Sequence, residues 1–499
     1  MSIKTLELFL PEIILVVTAL LVVVAGLVIE SDRQLDDGEG ERPRAIATGL
    51  ALAGCLASLA SIVALISVSS ITQNPLSGTF VLDHFALYFK VILLVFAIVT
   101  LLMGFRFSEH FRPHQSEFVA LILLATIGGM FMVSAREMIQ LYVSLETLSI
   151  ALYVMVAFNK GSRLSSEAGF KYLVVGAASS AILLYGLAIL YGLTGRTELD
   201  AVAREVVSGR LSSPALVLAT IFVIGGISFK IAAVPFHQWV PDVYQGAPTP
   251  VTAFISVSSK AAGYGLLIRV LNSALLPMTH QWSIYLAIIA MITMTVGNIT
   301  ALSQTSVKRL LGYSSIAHAG YIVMGLVAMS NTKTATLAIG AILFYILVYG
   351  LSNLAAFGAI QAAQESVGSD DLTALSGLGR TGGGVPFVLA LSMLSLTGIP
   401  PLVGFFAKFF VFLAAVQAGY AWLALIAVAN SAISSVYYLR VVRALYFDEG
   451  PERADRRRLG AGPAMWTALS IGLLAILPLV LFMNVFVQRA QEAAAAVLR

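Results

Sequence analysis

The sequence predicts an all-α integral membrane protein of about fourteen transmembrane helices, and three observations lead to this fold class. Of the 499 residues, 59% are hydrophobic and only 11% are charged, with a mean hydropathy of +0.91, whereas soluble domains carry about 25% charged residues. Apolar runs of about 20 residues, the length that crosses a hydrocarbon core as a helix, recur along the whole chain. Ten-residue stretches of alternating hydrophobicity, typical of transmembrane strands, do not recur.

The spans follow one another closely along the chain. We expect them at approximately 9–30, 45–68, 82–104, 116–134, 137–158, 166–194, 214–236, 249–271, 283–303, 308–329, 334–360, 386–416, 420–443 and 463–487. The first apolar run is too long for a signal-peptide core, so we interpret it as a retained helix. No polar segment is long enough to fold separately, which predicts a single membrane domain over residues 1–499.

The sequence lacks the motifs that mark several common classes of functional site. Cys55 is the single cysteine, so it has no partner for an intrachain disulfide or a metal site. There is no Walker A motif, no GxGxxG after a strand, and no Cys or His spacing for Fe–S, haem or zinc. The glycines at 382–384 are not followed by a phosphate-binding lysine. We therefore expect no cofactor, metal or conventional active site in this chain.

The distribution of Lys and Arg predicts the orientation. Under the positive-inside rule, the more basic set of loops faces the cytoplasm, which places both termini on the outer side. The basic residues of the inner loops include Arg33, Arg42, Arg44, Lys160, Arg163, Lys308, Arg309, Arg453, Arg456, Arg457 and Arg458. The run at 453–458 is interpreted as a solvated loop, with a lipid or partner site as the alternative. The net charge of +4, spread over loops, argues against nucleic-acid binding.

Two spans contain prolines that interrupt a helix. One break is expected around Pro235 and Pro241, and the other at Pro400 and Pro401. The breaks lie five spans apart, so two repeats that each contained one break would have opposite topology in the membrane. Interrupted helices at matching positions of inverted repeats mark transport sites. Two unrelated proline kinks are the alternative.

Four charged residues lie too deep in their spans to reach a helix end. They are Glu146, Lys230, Lys260 and Lys408. A charge at the bilayer centre costs at least ~2.5–3.5 kcal/mol, so such residues are rare and usually functional. One glutamate cannot neutralise three lysines, so structural ion pairs do not explain the whole set.

Three further residues have a structural as well as a functional interpretation. Lys171 lies one turn inside the sixth span, where snorkelling or pairing with Glu167 at i−4 is the alternative to a functional role. Lys90, near Asp83, is interpreted as an interfacial residue. His318 is central in the tenth span, where it serves either in packing or in proton transfer.

The chemistry that suits these buried residues is proton transfer. In general, burial lowers the pKa of lysine and raises that of glutamate, which brings both groups nearer to neutral pH. A carboxylate at Glu146 would hold Lys230 protonated, and separation of the two would release the proton toward Lys260. Nearby Ser and Thr residues, such as Ser256, Ser258 and Ser259, are placed to order water between the sites.

Three segments carry a family resemblance: PFHQWVPDVYQGAPTPVTAFISVSSKAAGYGLLIRV (235–270), VKRLLGYSSIAHAGY (307–321) and SLTGIPPLVGFFAKFFVF (395–412). They resemble the antiporter-like subunit N of bacterial respiratory complex I, the NADH–quinone oxidoreductase, and its mitochondrial counterpart, subunit 2. The resemblance implies two inverted five-helix repeats, which we place at 116–271 and 283–443, each with one broken helix.

The resemblance also implies roles for individual residues. The glutamate of the fifth helix in that family falls on Glu146, and the lysines of the sixth, seventh and eighth helices fall on Lys171, Lys230 and Lys260. The lysine of the broken twelfth helix falls on Lys408, where sister subunit M carries a glutamate. The chain also ends soon after its last span, unlike subunit L with its long lateral helix.

As a member of this family, the chain is expected to translocate protons in the bacterial inner membrane without a redox centre. NADH, FMN, Fe–S clusters and quinone would be bound by other subunits. Its implied partners are other membrane-arm subunits, including subunit M and small membrane subunits, together with phospholipid. A subunit of a multisubunit cation/proton antiporter and a purely structural scaffold are the alternatives.

Overall fold

The computed structural model describes residues 3–32, 41–68, 72–73, 76–107, 114–208, 213–381, 383–449 and 461–498. Arg33, Gly382 and the basic run Arg453, Arg456, Arg457 and Arg458 lie outside these residues, so the predictions made for them are not addressed.

Helices form almost all of the described chain. The first ten are α1 (Ile3–Leu8), α2 (Leu10–Asp32), α3 (Glu41–Val68), α4 (His84–Phe107), α5 (Gln115–Ser134), α6 (Met138–Val156), α7 (Arg163–Thr194), α8 (Leu199–Val207), α9 (Ser213–Ile231) and α10 (Trp239–Gly246). The other ten are α11 (Thr249–Phe254), α12 (Lys260–Asn272), α13 (Thr279–Ala301), α14 (Val307–Ala328), α15 (Ala335–Val367), α16 (Gly384–Thr397), α17 (Val403–Gln417), α18 (Ala421–Tyr446), α19 (Pro463–Ile476) and α20 (Met483–Val497).

Short elements complete the described chain. A π-helical segment, Ile255–Ser259, joins α11 to α12 so that the three form one span. Strands β1 (Thr72–Gln73) and β2 (Leu82–Asp83) pair antiparallel between α3 and α4. The 3₁₀ turns are Leu76–Gly78, Leu276–Met278, Leu378–Thr381 and Pro478–Val480.

The predicted membrane fold is confirmed. Within the described residues, 13 spans are long and apolar enough to cross a membrane. The shorter apolar helices α16 and α17 form one further, interrupted segment. The span from α11 to α12 and helices α14 and α15 are buried over most or all of their length, whereas α2 and α3 are buried over about a third. The most enclosed helices are therefore those that carry Lys260 and His318.

Close backbone approach holds α13 against α14. A Cβ atom added to Gly297 would lie 2.5 Å from the Ala317 nitrogen, and one added to Gly320 would lie 2.5 Å from the Met294 nitrogen. Small residues at such crossings let helix backbones pack directly against each other. This contact fixes the helix that carries His318.

The first break differs in detail from its prediction. Helix α9 ends at Ile231, Ala232 has a φ of 61°, and the Val234–Pro235 peptide is cis. Pro241, which we expected to break the helix, instead lies in the first turn of α10. Backbone N–H groups in the first turn have no intrahelical partner, so a proline is tolerated there.

The second break follows the prediction. Helix α16 ends at Thr397, Gly398 has a φ of 86°, and the Pro400–Pro401 peptide is cis before α17 starts. Glycine is favoured in this left-handed conformation after a helix C-terminus.

The prediction that the last span is one continuous helix over 463–487 is wrong. The chain is interrupted after Ile476 by a 3₁₀ turn at Pro478–Val480, and α20 begins only at Met483. Pro478 lacks the backbone N–H that an uninterrupted helix needs.

Candidate functional site: a buried polar line

Lys230 lies in the last turn of α9, where aromatic rings surround its ammonium group. Its Nζ atom is 5.7 Å from the ring centre of Tyr153, 5.9 Å from that of Tyr172 and 5.5 Å from that of Phe229. The side chain is fully buried, and Nζ has no hydrogen-bond partner among the described residues. Aromatic faces attract a cation without accepting a proton, so any acceptor for this ammonium must be water or a mobile group.

The break beside Lys230 is secured by one hydrogen bond to a distant helix and by one that crosses the break itself. The backbone N–H of Val234 donates to Thr293 Oγ1 of α13 at 3.0 Å, and Trp239 Nε1 donates to the carbonyl of Phe229 at 3.3 Å. These bonds satisfy backbone groups that the interruption frees inside the membrane.

Glu146 of α6 does not form an ion pair with Lys230 among the described residues. Its carboxylate accepts a hydrogen bond from the Ser180 hydroxyl of α7. The side chain is half-buried, in contrast to the lysines of the line. Glu146 therefore lies where the surface of this chain meets its surroundings.

Lys260 is held by α14 through a single residue. Its Nζ atom donates to the carbonyl oxygen and to Oγ of Ser315, both at 2.5 Å. The Ser315 hydroxyl also contacts Tyr244 of α10 at 3.0 Å and accepts from Tyr349 of α15 at 2.8 Å. Ser315 is thus the point where α10, α12, α14 and α15 meet.

The helix that carries Lys260 is irregular just before it. The π-helical segment Ile255–Ser259 precedes Lys260, and such bulges frequently occur at functional sites. Asn353 of α15 donates to Ser256 Oγ at 2.7 Å and to the Tyr349 hydroxyl at 3.3 Å. The bulge is therefore tied to the same polar cluster as Lys260.

Lys230 and Lys260 are linked through one glycine. A Cβ atom added to Gly263, three residues after Lys260, would lie 3.1 Å from Lys230 Cβ. The absence of a side chain at Gly263 lets α9 approach α12 at the position of the two lysines.

His318, whose role was open, joins the cluster. It follows Ser315 by one turn of α14, and its two nitrogens contact the hydroxyls of Tyr345 at 2.7 Å and Tyr438 at 3.0 Å. Its ring centre is 4.9 Å from that of Tyr349. The histidine is almost completely buried.

Lys408 of α17 extends the line across the second break. Its Nζ atom donates to the carbonyl of Thr397 at 2.9 Å and to Ser431 Oγ at 3.0 Å. The same atom is 5.2 Å from the ring centre of Tyr321, which is itself 5.8 Å from the His318 ring. Side chains therefore connect Lys260 to Lys408 through Ser315, Tyr349, His318 and Tyr321.

Lys171 is not in contact with this line. It is 43% exposed and forms ion pairs with Glu167 and Asp242, each at 2.8 Å. Asp242, on α10, also binds Arg309 of α14 at 2.6 Å. The expected pairing with Glu167 is present, and Asp242 is the additional partner that connects Lys171 to the broken helix.

Several buried charges were missed from the sequence. Glu12 of α2 pairs with Lys90 at 2.7 Å, and Asp83 pairs with Arg269 at 3.0 Å. Lys90 therefore has a buried partner on another helix and not the nearby Asp83. Glu12 and Arg269 lie near the ends of their apolar runs, where a charge carries little signal. In the described part of the chain, no group of three His, Cys, Asp or Glu residues is arranged to hold a metal ion.

Comparison with known proteins places this line in a family. Residues 135–434 match the family model described as NADH:quinone oxidoreductase/Mrp antiporter, transmembrane. The chain is 42% identical over 450 residues to the NAD(P)H-quinone oxidoreductase subunit 2 of Nostoc sp., covering 89% of this chain and 83% of that protein. It is 41% identical over 421 residues to the NADH-quinone oxidoreductase subunit N of Moorella thermoacetica, covering 84% and 87%.

Solved structures agree with these relatives. A chain of respiratory complex I from Thermus thermophilus aligns with a TM-score of 0.77 and 31% identity, covering 96% of this chain and 98% of that one. A chain of the Mrp complex from Dietzia sp. aligns with a TM-score of 0.83 over 100% of this chain and 98% of its own, at 21% identity, which shows the shared fold alone. The chain belongs to the NADH:quinone oxidoreductase/Mrp antiporter transmembrane family, and within it to the antiporter-like subunit N/2 group of complex I.

Proposed function

We propose that this chain translocates protons as a non-redox subunit of an NADH–quinone oxidoreductase, through a line of buried residues. The line runs from Glu146 through Lys230, Lys260 and His318 to Lys408. The observation that supports it best is the continuous side-chain contact from Lys260 to Lys408 inside the most buried helices.

Lys230 is the residue at which charge changes first. The surrounding rings stabilise an ammonium group but offer no lone pair for its proton. Approach of a carboxylate would favour the charged form, and its withdrawal would favour release. The half-buried Glu146, held by Ser180, is the carboxylate in this role.

Ser315 and His318 carry the proton beyond Lys260. A serine hydroxyl both donates and accepts, so Ser315 can exchange protons with the amine that it contacts. An imidazole accepts at one nitrogen while it donates at the other. The two nitrogens of His318 face hydroxyls on different helices, Tyr345 on α15 and Tyr438 on α18.

Unpartnered polar atoms near the first break support access by water. The hydroxyls of Tyr153, Tyr172, Ser258 and Ser259, like Lys230 Nζ, are buried without a partner among the described residues. Buried polar groups in proteins are nearly always hydrogen-bonded, to protein or to water. Water at these hydroxyls would connect Lys230 to α12.

Lys171 has a different place in this proposal. Together with Arg309 it binds Asp242 and so holds α10 between α7 and α14. Because Tyr244 of α10 contacts Ser315, this cluster positions the relay. We include Lys171 as a positioning residue outside the line.

The remaining parts of the proposal concern the assembly. Residues 116–271 and 283–443 form inverted repeats, and the matching order of helices, with a broken helix fourth in each range, supports this. Both termini face the periplasm of a bacterial inner membrane. Subunit M, small membrane subunits and phospholipid surround the chain, while other subunits bind NADH, FMN, Fe–S clusters and quinone and drive the relay by quinone reduction.

The test replaces Lys230 and Lys260 by alanine, singly and together, in the assembled complex. Proton pumping and quinone reductase activity are measured in membrane vesicles. Both are expected to fall, because neither the ammonium nor its proton remains. Glu12→Leu combined with Lys90→Met is the matched control, since it removes a buried pair outside the line, a change that is often neutral for stability. Intact pumping after the double lysine replacement would show that the chain is a scaffold.

The alternative, a cation/proton antiporter subunit, rests on the shared family and fold. The relatives at 41–42% identity are named as quinone oxidoreductase subunits, which favours the first function. Co-purification of the chain with NADH-oxidising activity supports it, whereas sodium-dependent proton exchange without that activity would favour the antiporter.

A further inference from the structure

A long cleft lies away from the polar line, on the side of the molecule formed by α4, α15, α19 and α20. Its volume is about 530 Å³. Its walls are apolar and include Tyr88, Val95, Leu351, Leu479 and Phe486. Leu474 and Phe482, at its edge, are 61% and 60% exposed, so the cleft opens to the outside of the chain.

The cleft lies where the last span is interrupted. Pro478, in the turn between α19 and α20, forms part of its wall. Helix α20 passes the second turn of α15, where a Cβ atom added to Gly340 would lie 3.1 Å from Gln491 Cγ. It ends beside α12, where Asn272 donates to the Val497 carbonyl at 2.5 Å. Helix α20 thus covers the end of α12 and the starts of α15 and α4.

Polar residues line the cleft at one end only. His84 is the first residue of α4, and Arg489 and Glu492 lie on α20. Arg489 Nη1 and Glu492 Oε2 are 2.8 Å apart, and their side chains are 67% and 41% exposed. From His84 the apolar wall follows α4 to Val95, which is about 16 Å at 1.5 Å per residue. The cleft therefore has a charged mouth at the end of a span and an apolar trough below it.

We infer that this cleft binds a phospholipid whose headgroup carries both a phosphate and a primary ammonium. The trough fits an acyl chain, since its walls are apolar along the helix. A guanidinium such as Arg489 binds a phosphate strongly, and the Glu492 carboxylate accepts hydrogen bonds from an ammonium. A quinone carries neither a phosphate for Arg489 nor an ammonium for Glu492, and an anionic headgroup without an amine would face the Glu492 carboxylate. The site is independent of the proton line.

The first test asks whether the cleft holds lipid. The complex that contains this chain is reconstituted in nanodiscs of mixed phosphatidylethanolamine and phosphatidylglycerol, extracted, washed and analysed by native mass spectrometry. Leu474→Trp fills the cleft from its open side, so a retained phosphatidylethanolamine is expected to disappear. Leu425→Trp places the same side chain on α18, at a residue that is 72% exposed and outside the cleft, and should keep the lipid.

The second test addresses the headgroup. Arg489→Gln combined with Glu492→Gln is expected to abolish the preference for phosphatidylethanolamine while NADH oxidation is unchanged. The control is Arg443→Gln with Asp448→Asn, an exposed pair 3.1 Å apart on and after α18. Retention of phosphatidylglycerol or quinone by the native complex, occupation of the cleft by a neighbouring subunit, or lipid loss equal in Leu425→Trp would overturn the inference.

Discussion

The two broken helices each place one buried lysine beside the interruption, but they surround the ammonium group differently. Lys230 precedes its break and faces three aromatic rings, 5.5 to 5.9 Å from their centres, with no hydrogen-bond acceptor in the described part of the chain. Lys408 follows its break and donates to the Thr397 carbonyl and to Ser431, with one ring nearby. Aromatic ring faces thus surround the ammonium group of Lys230, whereas fixed hydrogen-bond acceptors hold that of Lys408.

This difference suggests different tasks for the two lysines. The carbonyls at the C-terminus of α16, among them that of Thr397, favour a positive charge and hold it in one place. The rings around Lys230 attract a cation less specifically, so its charge depends on water and on Glu146. We infer that Lys230 changes its charge most readily during turnover and that Lys408 retains its charge longest.

Replacing each lysine with arginine is expected to give the largest difference between the two sites in proton pumping. Arginine keeps the positive charge and does not release its proton in proteins. Lys230→Arg is expected to lower proton pumping through this chain on the order of 10²-fold, because a proton-transfer step is lost. Lys408→Arg is expected to lower it by at most about tenfold. Pumping and NADH oxidation in vesicles measure both, and equal losses would contradict the comparison.

Replacing each lysine with methionine distinguishes the two sites by the change in the free energy of unfolding. Lys408→Met leaves the Thr397 carbonyl without its buried donor, which is expected to cost about 1–3 kcal/mol. Lys230→Met removes a charge that has no acceptor among the residues the structure describes and leaves a flexible side chain among aromatic rings, so the expected change in the free energy of unfolding is near zero. Thermal unfolding of the purified complex gives the order of the two variants. A larger loss of stability in Lys230→Met than in Lys408→Met would contradict the conclusion that Lys408 is the lysine held by fixed acceptors.

Changes at Tyr172 test the ring cage itself. Its ring stacks on Trp239 at 4.5 Å, and its hydroxyl has no partner among the described residues. Tyr172→Leu removes one cation–π contact, worth about 1–2 kcal/mol when desolvated, and is expected to slow pumping about tenfold. Tyr172→Phe keeps the ring and removes only the hydroxyl, so pumping is expected to fall less than in Tyr172→Leu. An equal loss of pumping in the two variants would show that the hydroxyl matters more than the ring.

The smallest expected effect comes from a residue behind Lys408. Asn298 donates to the Tyr321 hydroxyl at 2.9 Å and accepts from Tyr437 at 2.9 Å, so it holds the ring that faces Lys408. Asn298→Ala is expected to cost about 1 kcal/mol, or about fivefold in pumping rate. Ser283→Ala is the control, because Ser283 lies near the start of the same helix and donates to the His280 carbonyl at 3.1 Å. A shifted pH profile of pumping in Asn298→Ala would indicate an effect on Lys408 beyond loosened packing.

The lysines near the two breaks also show which features of the site could be predicted from the sequence. The depth of Lys230, Lys260 and Lys408 in their spans predicted their burial, because a charge near the bilayer centre is costly in contact with lipid and therefore faces protein or water. Their acceptors were not predictable, since Lys260 finds Ser315 55 residues away. His318 stayed open for the same reason, because its partners lie on α15 and α18.

The sequence by itself determined the helical membrane fold, the two breaks and the burial of Lys230, Lys260 and Lys408. These follow from hydropathy and from the missing N–H of proline, which are local properties. Only the tertiary structure decided that Pro241 is tolerated, that Pro478 interrupts the last span, and that Arg269 meets Asp83 186 residues away. Such outcomes depend on which helices become neighbours, and that is settled by packing between segments far apart in the chain.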